Sequence, residues 1–201
     1  MTETASQIVT LKPQDFLRGN NSSGRVLPHA KVTILNEEGN LQAKHKIGSI
    51  AIAAESLYLD YYGNSVSNLD RSSAKLVTDD LGFFDPQGYL HIVGRRSQTI
   101  ITGGENVFPA EVEAAILATS LVTDVCVIGL SDRTWGQAVT AVYIPIDGHI
   151  ADPKIKAKIV DKLSKYKLPK YWIKVDRLPR NQQGKIDYQK VKAIASSKLL
   201  S

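Results

Sequence analysis

The segment Pro179-Arg180-Asn181-Gln182-Gln183-Gly184-Lys185-Ile186 lies near the C-terminal end, between an apolar run at 171–175 and a final helical pattern. Gln183-Gly184 predicts a turn, because glycine takes positive φ at little cost. Such a turn holds Lys185 at the tip of a short exposed loop, where its compact ammonium suits a phosphate or carboxylate oxygen. The octapeptide by itself favours the simpler interpretation, a solvated surface lysine. A binding role for Lys185 therefore needs support from the remaining sequence.

The C-terminal half, residues 96–201, alternates between strand and helix patterns in the order β-α-β-β-α-β-α. Strand patterns occur at 99–102, 123–130, 138–146 and 171–175. Helices are predicted to begin near Pro109, to run from Asp152 to about Tyr166, and to follow a cap at Asp187. This order predicts a compact α+β unit of about 100 residues.

The N-terminal half reads mainly as β-structure. Apolar runs with strand character occur at 31–36, 47–52 and 57–62, and two short runs around a Pro/Gly turn predict a hairpin at 83–93. These patterns predict a small barrel or sandwich. The polar segment 94–98 separates the two halves, so we expect domains at 1–95 and 96–201.

Composition limits the class of protein. The chain has 201 residues, a net charge of +5 and one cysteine, which excludes an internal disulfide. No apolar run reaches about 18 residues, and residues 1–7 lack the features of a secretory signal, so we expect a cytoplasmic protein without a membrane span. Histidines and cysteine show no zinc spacing. The lysines at 154–198 fit solvated helix faces, and nucleic-acid binding is the weakest interpretation because aromatic residues are not interleaved.

Two further segments carry candidate chemistry. Asp79 and Asp80 stand just before a predicted turn at Gly82, where a carboxylate could accept both hydroxyls of a ribose or simply cap the turn as an Asx motif. Gly103-Gly104 follows a strand, and paired glycines permit either close approach of a ligand or a plain tight turn. Neither segment decides between its two interpretations by itself.

Four segments in order resemble the adenylate-forming superfamily, which includes acyl-CoA synthetases, firefly luciferase and adenylation domains of peptide synthetases. Residues 1–4 resemble the Thr-Glu part of the family's Tyr-Gly-x-Thr-Glu motif, and 76–82 resemble Tyr-Arg-Thr-Gly-Asp-Leu. Residues 94–113 resemble the hinge and the segment after it, and 179–186 resemble the Pro-Arg-Thr-x-x-Gly-Lys loop of the catalytic lysine. The likeness runs along essentially the whole chain.

The resemblance assigns roles around ATP to four positions of the N-terminal half. It implies that Thr2 contacts ATP phosphates and that Glu3 helps to hold Mg²⁺. It implies that Asp80 binds the ribose hydroxyls and that Arg95 contacts ribose or phosphate. Asp79 departs from the family's usual glycine, a change that we expect to alter the predicted turn.

The resemblance also assigns roles to the hinge and the C-terminal half. Ser97 occupies the position about which the C-terminal domain rotates, where the family often has Asp or Lys. Gly103 and Gly104 would line the pantetheine tunnel for CoA, and Asn106 would face the adenylate. Lys185 would bridge the substrate carboxylate and the α-phosphate, which reverses the first interpretation of this residue.

Within the superfamily, residues 94–97 and 103–109 are most similar to 2-succinylbenzoate–CoA ligases of menaquinone and phylloquinone biosynthesis. Medium- and long-chain acyl-CoA synthetases share much of this pattern. The family's large N-terminal region, with its phosphate loop and most of the acyl pocket, has no counterpart here. We therefore expect the chain alone to be inactive and to need that region in the same or a separate chain. A non-catalytic interaction module that kept the fold is the alternative.

Overall fold

A computed structural model describes residues 1–58, 75–148 and 152–200 of the chain. The chain divides into two compact units, Met1–Ser97 and Gln98–Ser201. Among the described residues, no helix combines the length and apolar character needed to cross a membrane.

The first unit is built mainly from antiparallel strands. After a 3-10 turn at Thr2–Thr4, its elements are β1 (Val9–Thr10), α1 (Pro13–Leu17), β2 (Arg25–Val26), β3 (Ala30–Leu35), β4 (Gly48–Ala54), β5 (Leu76–Phe84) and β6 (Leu90–Arg95). The four longer strands form one sheet in the order β3-β4-β5-β6, and β1 pairs with β2. All of these pairs are antiparallel.

Alternation of side chains builds the core of this unit. Val32 and Ile34 of β3 stand opposite Ile52 and Ile50 of β4, and all four are buried together with Leu90. Side chains two positions apart share one face of a strand, so these four residues lie on the same side of the sheet. The strands predicted at 31–36 and 47–52 and the hairpin at 83–93 are therefore confirmed.

Three features of the first unit differ from the sequence-based expectation. The strands of the described residues form an open four-stranded sheet and a two-stranded ribbon, rather than a closed barrel. The short helix α1 was not predicted, although Pro13 stands at its start. The apolar segment predicted at 57–62 forms no strand at Leu57 and Tyr58, and its other residues lie outside the described part of the chain.

The second unit combines helices with a mixed sheet. A 3-10 turn at Arg96–Gln98 lies across the junction with the first unit. The elements that follow are β7 (Ile100–Thr102), β8 (Glu105–Val107), α2 (Pro109–Leu117), β9 (Val122–Asp132), β10 (Gly136–Pro145), α3 (Asp152–Ile159), β11 (Tyr171–Lys174) and α4 (Tyr188–Leu200). The sheet has the order β11-β10-β7-β8, and β9 also pairs with β10. Only the β10–β11 pair is parallel among the described strands.

Strand β9 distributes its side chains between two cores. Val125 and Val127 pack in a cluster with residues of α2 and α3. Cys126 and Ile128 point the other way, into a cluster with residues of α4. Successive side chains of a strand face opposite sides of a sheet, so helices cover both faces of this one. The α+β architecture predicted for the C-terminal half is confirmed.

The second unit differs from the sequence-based prediction in two places. Helix α3 ends at Ile159 instead of near Tyr166, because the chain turns there and buries Leu163 against the core. Strand β8 was missed, since three residues between a glycine pair and Pro109 carry little periodic signal. The helix starts at Pro109 and after Asp187 are confirmed, and Asp187 Oδ1 accepts the Lys190 N–H at 3.1 Å.

Candidate functional site

Lys185 lies on a tight loop between β11 and α4. An antiparallel bridge between Arg180 and Ile186 closes the loop, and the Asn181 N–H donates to the Lys185 carbonyl at 2.8 Å. Gly184 has φ +78°, as the turn prediction required. The Lys185 side chain is exposed at the tip. The loop therefore presents an ammonium to solvent from an ordered backbone.

The side chain of Asn181 orders the inside of this loop. Its Oδ1 accepts the N–H of Gln183 and the N–H of Lys185, each at 3.0 Å. The Gly184 N–H donates to the Asn181 carbonyl at 2.9 Å. Asparagine is suited to this position because its short amide can bond to backbone groups a few residues ahead.

Arg180 ties the same loop to the sheet. Its Nη1 donates to the Gly184 carbonyl at 2.9 Å, and its Nη2 donates to Asp124 Oδ2 at 2.6 Å. Asp124 belongs to β9, far away in sequence. Neither residue was predicted from sequence to have a role, and no local pattern could have paired them.

Gly103 and Gly104 form the two-residue turn between β7 and β8. Thr102 pairs with Glu105, and both glycines have positive φ, +58° and +84°, as type I′ hairpin turns require. A Cβ on Gly103 would lie 2.7 Å from Cε3 of Trp135, whereas Gly104 has no atom within 4 Å of that position. The tight-turn interpretation is thus confirmed, and Gly103 additionally allows a tryptophan to pack on the turn.

A cavity of about 420 Å³ adjoins this turn. Gly103, Trp135, Lys165, Tyr166 and Lys170 contribute to its lining. The hydrogen bond to Asp132, with a separation of 2.5 Å, raises the pKa of Lys170 and lowers that of the Asp132 carboxyl. The cavity thus has an aromatic wall with lysines beside it. Nearby on β8, Asn106 is exposed and pairs with Ile101.

Asp80 and Arg95 lie opposite each other on β5 and β6. The Arg95 Nε is 3.4 Å from Asp80 Oδ1, and both side chains are partly exposed. The prediction that Asp79 and Asp80 precede a turn is wrong, because both lie within β5. Register shifts against β4 and β6 interrupt the pairing here, and such irregularities re-aim side chains at a sheet edge.

Asp79 and Ser97, which both differ from the residues common in the family, contact each other. The Ser97 N–H donates to Asp79 Oδ1 at 3.1 Å, and the Ser97 hydroxyl donates to Asp79 Oδ2 at 2.5 Å. Asp79 therefore caps the 3-10 turn at Arg96–Gln98 in the manner of an N-cap. Arg96 adds a hydrogen bond to the Ser49 hydroxyl.

Thr2 and Glu3 lie in the N-terminal 3-10 turn. Thr2 is exposed, and the Glu3 carbonyl accepts the Tyr58 N–H at 2.8 Å. Among residues 1–58, 75–148 and 152–200, no group of three or more His, Cys, Asp or Glu side chains could hold a metal ion. Glu3 thus offers one carboxylate, and the described residues do not complete a magnesium site by themselves.

The structure brings the predicted residues together in groups. Asp80 and Arg95 form one pair, and Asp79 and Ser97 form a second beside it. Gly103, Gly104 and Asn106 share the β7–β8 hairpin, and Lys185 stands on the loop before α4.

The chain is similar in sequence to known proteins. Residues 111–185 match the AMP-binding enzyme C-terminal domain family, a match that ends on Lys185. The chain is 36% identical over 187 residues to a 2-succinylbenzoate–CoA ligase of Bacillus licheniformis, covering 92% of this chain and 39% of that protein. It is 33% identical over 187 residues to a long-chain-fatty-acid–CoA ligase of Mycobacterium tuberculosis, covering 92% of this chain and 37% of that protein.

Solved structures show the same likeness. The o-succinylbenzoate CoA synthetase of Bacillus subtilis, in complex with its acyl-adenylate intermediate, matches with a TM-score of 0.85 at 32% identity, over 96% of this chain and 40% of that one. The same enzyme in complex with ATP and a magnesium ion matches with a TM-score of 0.82 at 32% identity, over 98% of this chain and 40% of that one.

The chain carries an AMP-binding enzyme C-terminal domain at residues 111–185, and relatives that match 92% of its length are acid–CoA ligases of the adenylate-forming superfamily. The superfamily predicted from sequence is thereby confirmed. Its particular likeness is to 2-succinylbenzoate–CoA ligases, as the sequence motifs predicted, and the chain spans 39% of the length of the Bacillus licheniformis enzyme.

Proposed function

We propose that this chain forms the lysine-bearing part of an ATP-dependent, AMP-forming acid–CoA ligase, with 2-succinylbenzoate as the acid. The observation that carries the proposal is the Lys185 loop, an ordered turn with an exposed ammonium at the end of the matched family segment. The remaining sequence of the relatives, beyond the share matched here, supplies the rest of the ligase as the same chain or a partner. A cytoplasmic location is part of the proposal.

The first half-reaction is attack of a carboxylate oxygen on the α-phosphorus of ATP, with loss of pyrophosphate. Both reactants are anionic, so negative charge accumulates as they approach. The Lys185 ammonium offsets this charge when it lies between the carboxylate and the α-phosphate, where a water-poor site strengthens its effect. Magnesium neutralises phosphate charge when bound, and Glu3 is the residue of this chain that would contribute to holding it.

Asp80 and Arg95 orient the nucleotide in this proposal. The Asp80 carboxylate accepts hydrogen bonds from the two ribose hydroxyls, and Arg95 contacts ribose or phosphate. Their partial exposure and their cross-strand pairing at an irregular part of the sheet keep both groups accessible to a ligand. Thr2 contacts the ATP phosphates, and Asn106 faces the adenylate.

The second half-reaction is attack of the CoA thiol on the acyl carbon, with AMP as the leaving group. We place the pantetheine beside Gly103 and Gly104, where the turn lacks side chains. The adjoining cavity supports this placement, since Trp135 offers an aromatic face and Lys165 offers positive charge for CoA phosphates, while Lys170 is paired with Asp132. Rotation about Ser97 exchanges Lys185 for this turn between the two steps.

The test is ATP–pyrophosphate exchange, which reports acyl-adenylate formation. We expect no exchange from the 201-residue chain alone. Joined to the remaining region of the ligase, the chain should support exchange with 2-succinylbenzoate and little with a long-chain fatty acid. ATP–pyrophosphate exchange by the isolated chain would contradict the proposal that it is only one part of the ligase. A preference for fatty acids would replace the proposed substrate.

A further inference from the structure

Arg180 contacts the Lys185 loop and the sheet at the same time. One guanidinium nitrogen donates to the Gly184 carbonyl at 2.9 Å, and another donates to Asp124 Oδ2 at 2.6 Å. The Gly184 carbonyl belongs to the peptide group that leads directly into Lys185. A bond to this carbonyl therefore constrains the direction in which the Lys185 side chain leaves the backbone.

The link from the Gly184 carbonyl through Arg180 to Asp124 is called the Arg180–Asp124 bridge here. Its Asp124 end is also held in place. Asp124 Oδ1 accepts the Val125 N–H at 3.0 Å, which leaves Oδ2 for Arg180. Asp124 lies on β9, which pairs with β10 along most of its length. The carboxylate is thus oriented by the sheet, and Arg180 transmits that orientation to the loop.

The bridge requires the shape of arginine. A guanidinium donates from a rigid planar fork, so that one side chain can bond to a carbonyl and a carboxylate in fixed directions. A lysine at position 180 keeps the charge but offers a single nitrogen, which cannot reproduce the fork. Charge alone, at side chains that are 45% and 33% exposed, contributes little because water screens it.

We infer that Arg180 and Asp124 are positioning residues that hold the Lys185 ammonium in place for the adenylation step. This inference rests on the proposed function. Neither residue touches the reacting atoms; they act on the loop that carries Lys185. A displacement of about 1 Å at a reacting group can cost about 100-fold in rate, so we expect losses of about 10- to 100-fold when the bridge is broken.

The first test measures the loop in the 201-residue chain, without any activity. Amide hydrogen exchange of Gly184 and Lys185 should accelerate in Arg180→Lys and in Asp124→Asn. The matched control is Glu111→Gln, which removes another ion pair of the same unit, Lys167–Glu111 at 2.7 Å. Exchange at Gly184 and Lys185 should be unchanged in the control, and amides of α2 and β10 should report that all variants fold.

The second test uses the complete ligase and both half-reactions. Arg180→Lys and Asp124→Asn should each lower kcat for adenylation by about 10- to 100-fold, with KM for ATP nearly unchanged. The double variant should be no slower than the worse single variant, because both changes break one bridge. Thioester formation from preformed acyl-adenylate should be spared, as in Glu111→Gln.

Several results would overturn the inference. Unchanged exchange at Gly184 and Lys185 removes the structural premise, and a looser loop with a normal adenylation rate removes the positioning role. Additive losses, or equal losses in both half-reactions, indicate that the two residues act separately. Failure of the wild-type ligase to adenylate any acid refutes the proposed function instead, while the exchange experiment still decides whether the bridge orders the loop.

Discussion

The backbone that carries Lys185 is ordered by other residues of the same loop. The Asn181 side chain and the backbone β-bridge between Arg180 and Ile186 order the chain on both sides of the turn. The exposed Lys185 side chain therefore starts from a defined backbone position. An ammonium of this kind can stabilise charge that develops only in the transition state. A solvated surface lysine would need none of this support.

We predict that Lys185→Ala slows adenylation by the assembled ligase by at least about 100-fold, because a charge at the α-phosphate is lost. Thioester formation from preformed acyl-adenylate should be largely spared, since Lys185 is proposed to leave the site before that step. Single-turnover measurement of each half-reaction checks this. Lys192→Ala, which removes an exposed lysine of α4, serves as the control, and equal loss in both half-reactions would refute the assigned role.

Glu113 is a half-buried acid of the second unit. Burial raises the pKa of its carboxyl above 4.5, despite a hydrogen bond from the Val127 N–H at 2.8 Å, and the charge of Asp124 adds to the increase. The folded protein therefore binds a proton at Glu113 more tightly than the unfolded chain does. Stability linked to this group is fully present below its unfolded pKa and declines as the pH rises through the folded pKa.

We predict that Glu113→Gln removes this decline. Glutamine keeps an oxygen for the Val127 N–H but cannot ionise. The free energy of unfolding of the variant should therefore increase relative to that of the wild type as pH rises from about 4 to 7. Chemical denaturation at several pH values measures the difference. A difference that stays constant over this range would contradict the prediction.

At the scale of elements, the β7–β8 hairpin depends on two glycines with unequal surroundings. Both have positive φ, which costs a residue with a side chain about 1 kcal/mol or more. The Cβ of an alanine at position 103 would also collide with Trp135, while one at position 104 meets open space. The two positions therefore separate backbone strain from packing.

We predict that Gly103→Ala destabilises the second unit by about 1 to 3 kcal/mol, and that Gly104→Ala does so by less. Urea denaturation followed by tryptophan fluorescence gives both values. Equal losses would show that the Trp135 contact contributes nothing beyond backbone strain. The same variants, assayed for thioester formation in the complete ligase, test the proposed CoA position.

The division of the chain into two units is a property of the whole molecule. It falls between Ser97 and Gln98, directly after the residue that the Asp79 carboxylate holds with two hydrogen bonds. This cap fixes the end of the first unit up to Ser97. Rotation about the φ angle of Ser97 would break the bond to its hydroxyl, whereas rotation about its ψ angle, which moves only the chain that follows, would leave both bonds in place.

We predict that Asp79→Ala makes the junction more accessible to trypsin, which cleaves after Arg95 and Arg96. Loss of the cap frees the 3-10 turn at Arg96–Gln98 and so increases local opening. Mass spectrometry of timed digests measures the rate of cleavage there. Glu38→Ala, which removes a carboxylate from a different loop, is the control, and indistinguishable rates for the two variants would contradict the cap.

The amino-acid sequence determined the features that depend on neighbouring residues. The turn at Gly184, the helix start at Pro109 and the Asp187 cap follow from backbone preferences acting over a few positions. Apolar patterns likewise predicted β3, β4, β7, β9, β10 and β11, whereas the short strands β1, β2 and β8 were missed. The order of motifs along the chain was sufficient to predict the superfamily and the α+β fold, both of which are confirmed.

Only the tertiary structure decided which distant residues meet. Asp79 and Ser97 are 18 positions apart, and Arg180 and Asp124 are 56 apart, so their contacts depend on how strands pair and shift in register. Periodicity predicts that a strand exists but not which strand lies beside it or where a bulge falls. For the same reason Asp79 and Asp80, taken from sequence to precede a turn, proved to lie within a paired strand.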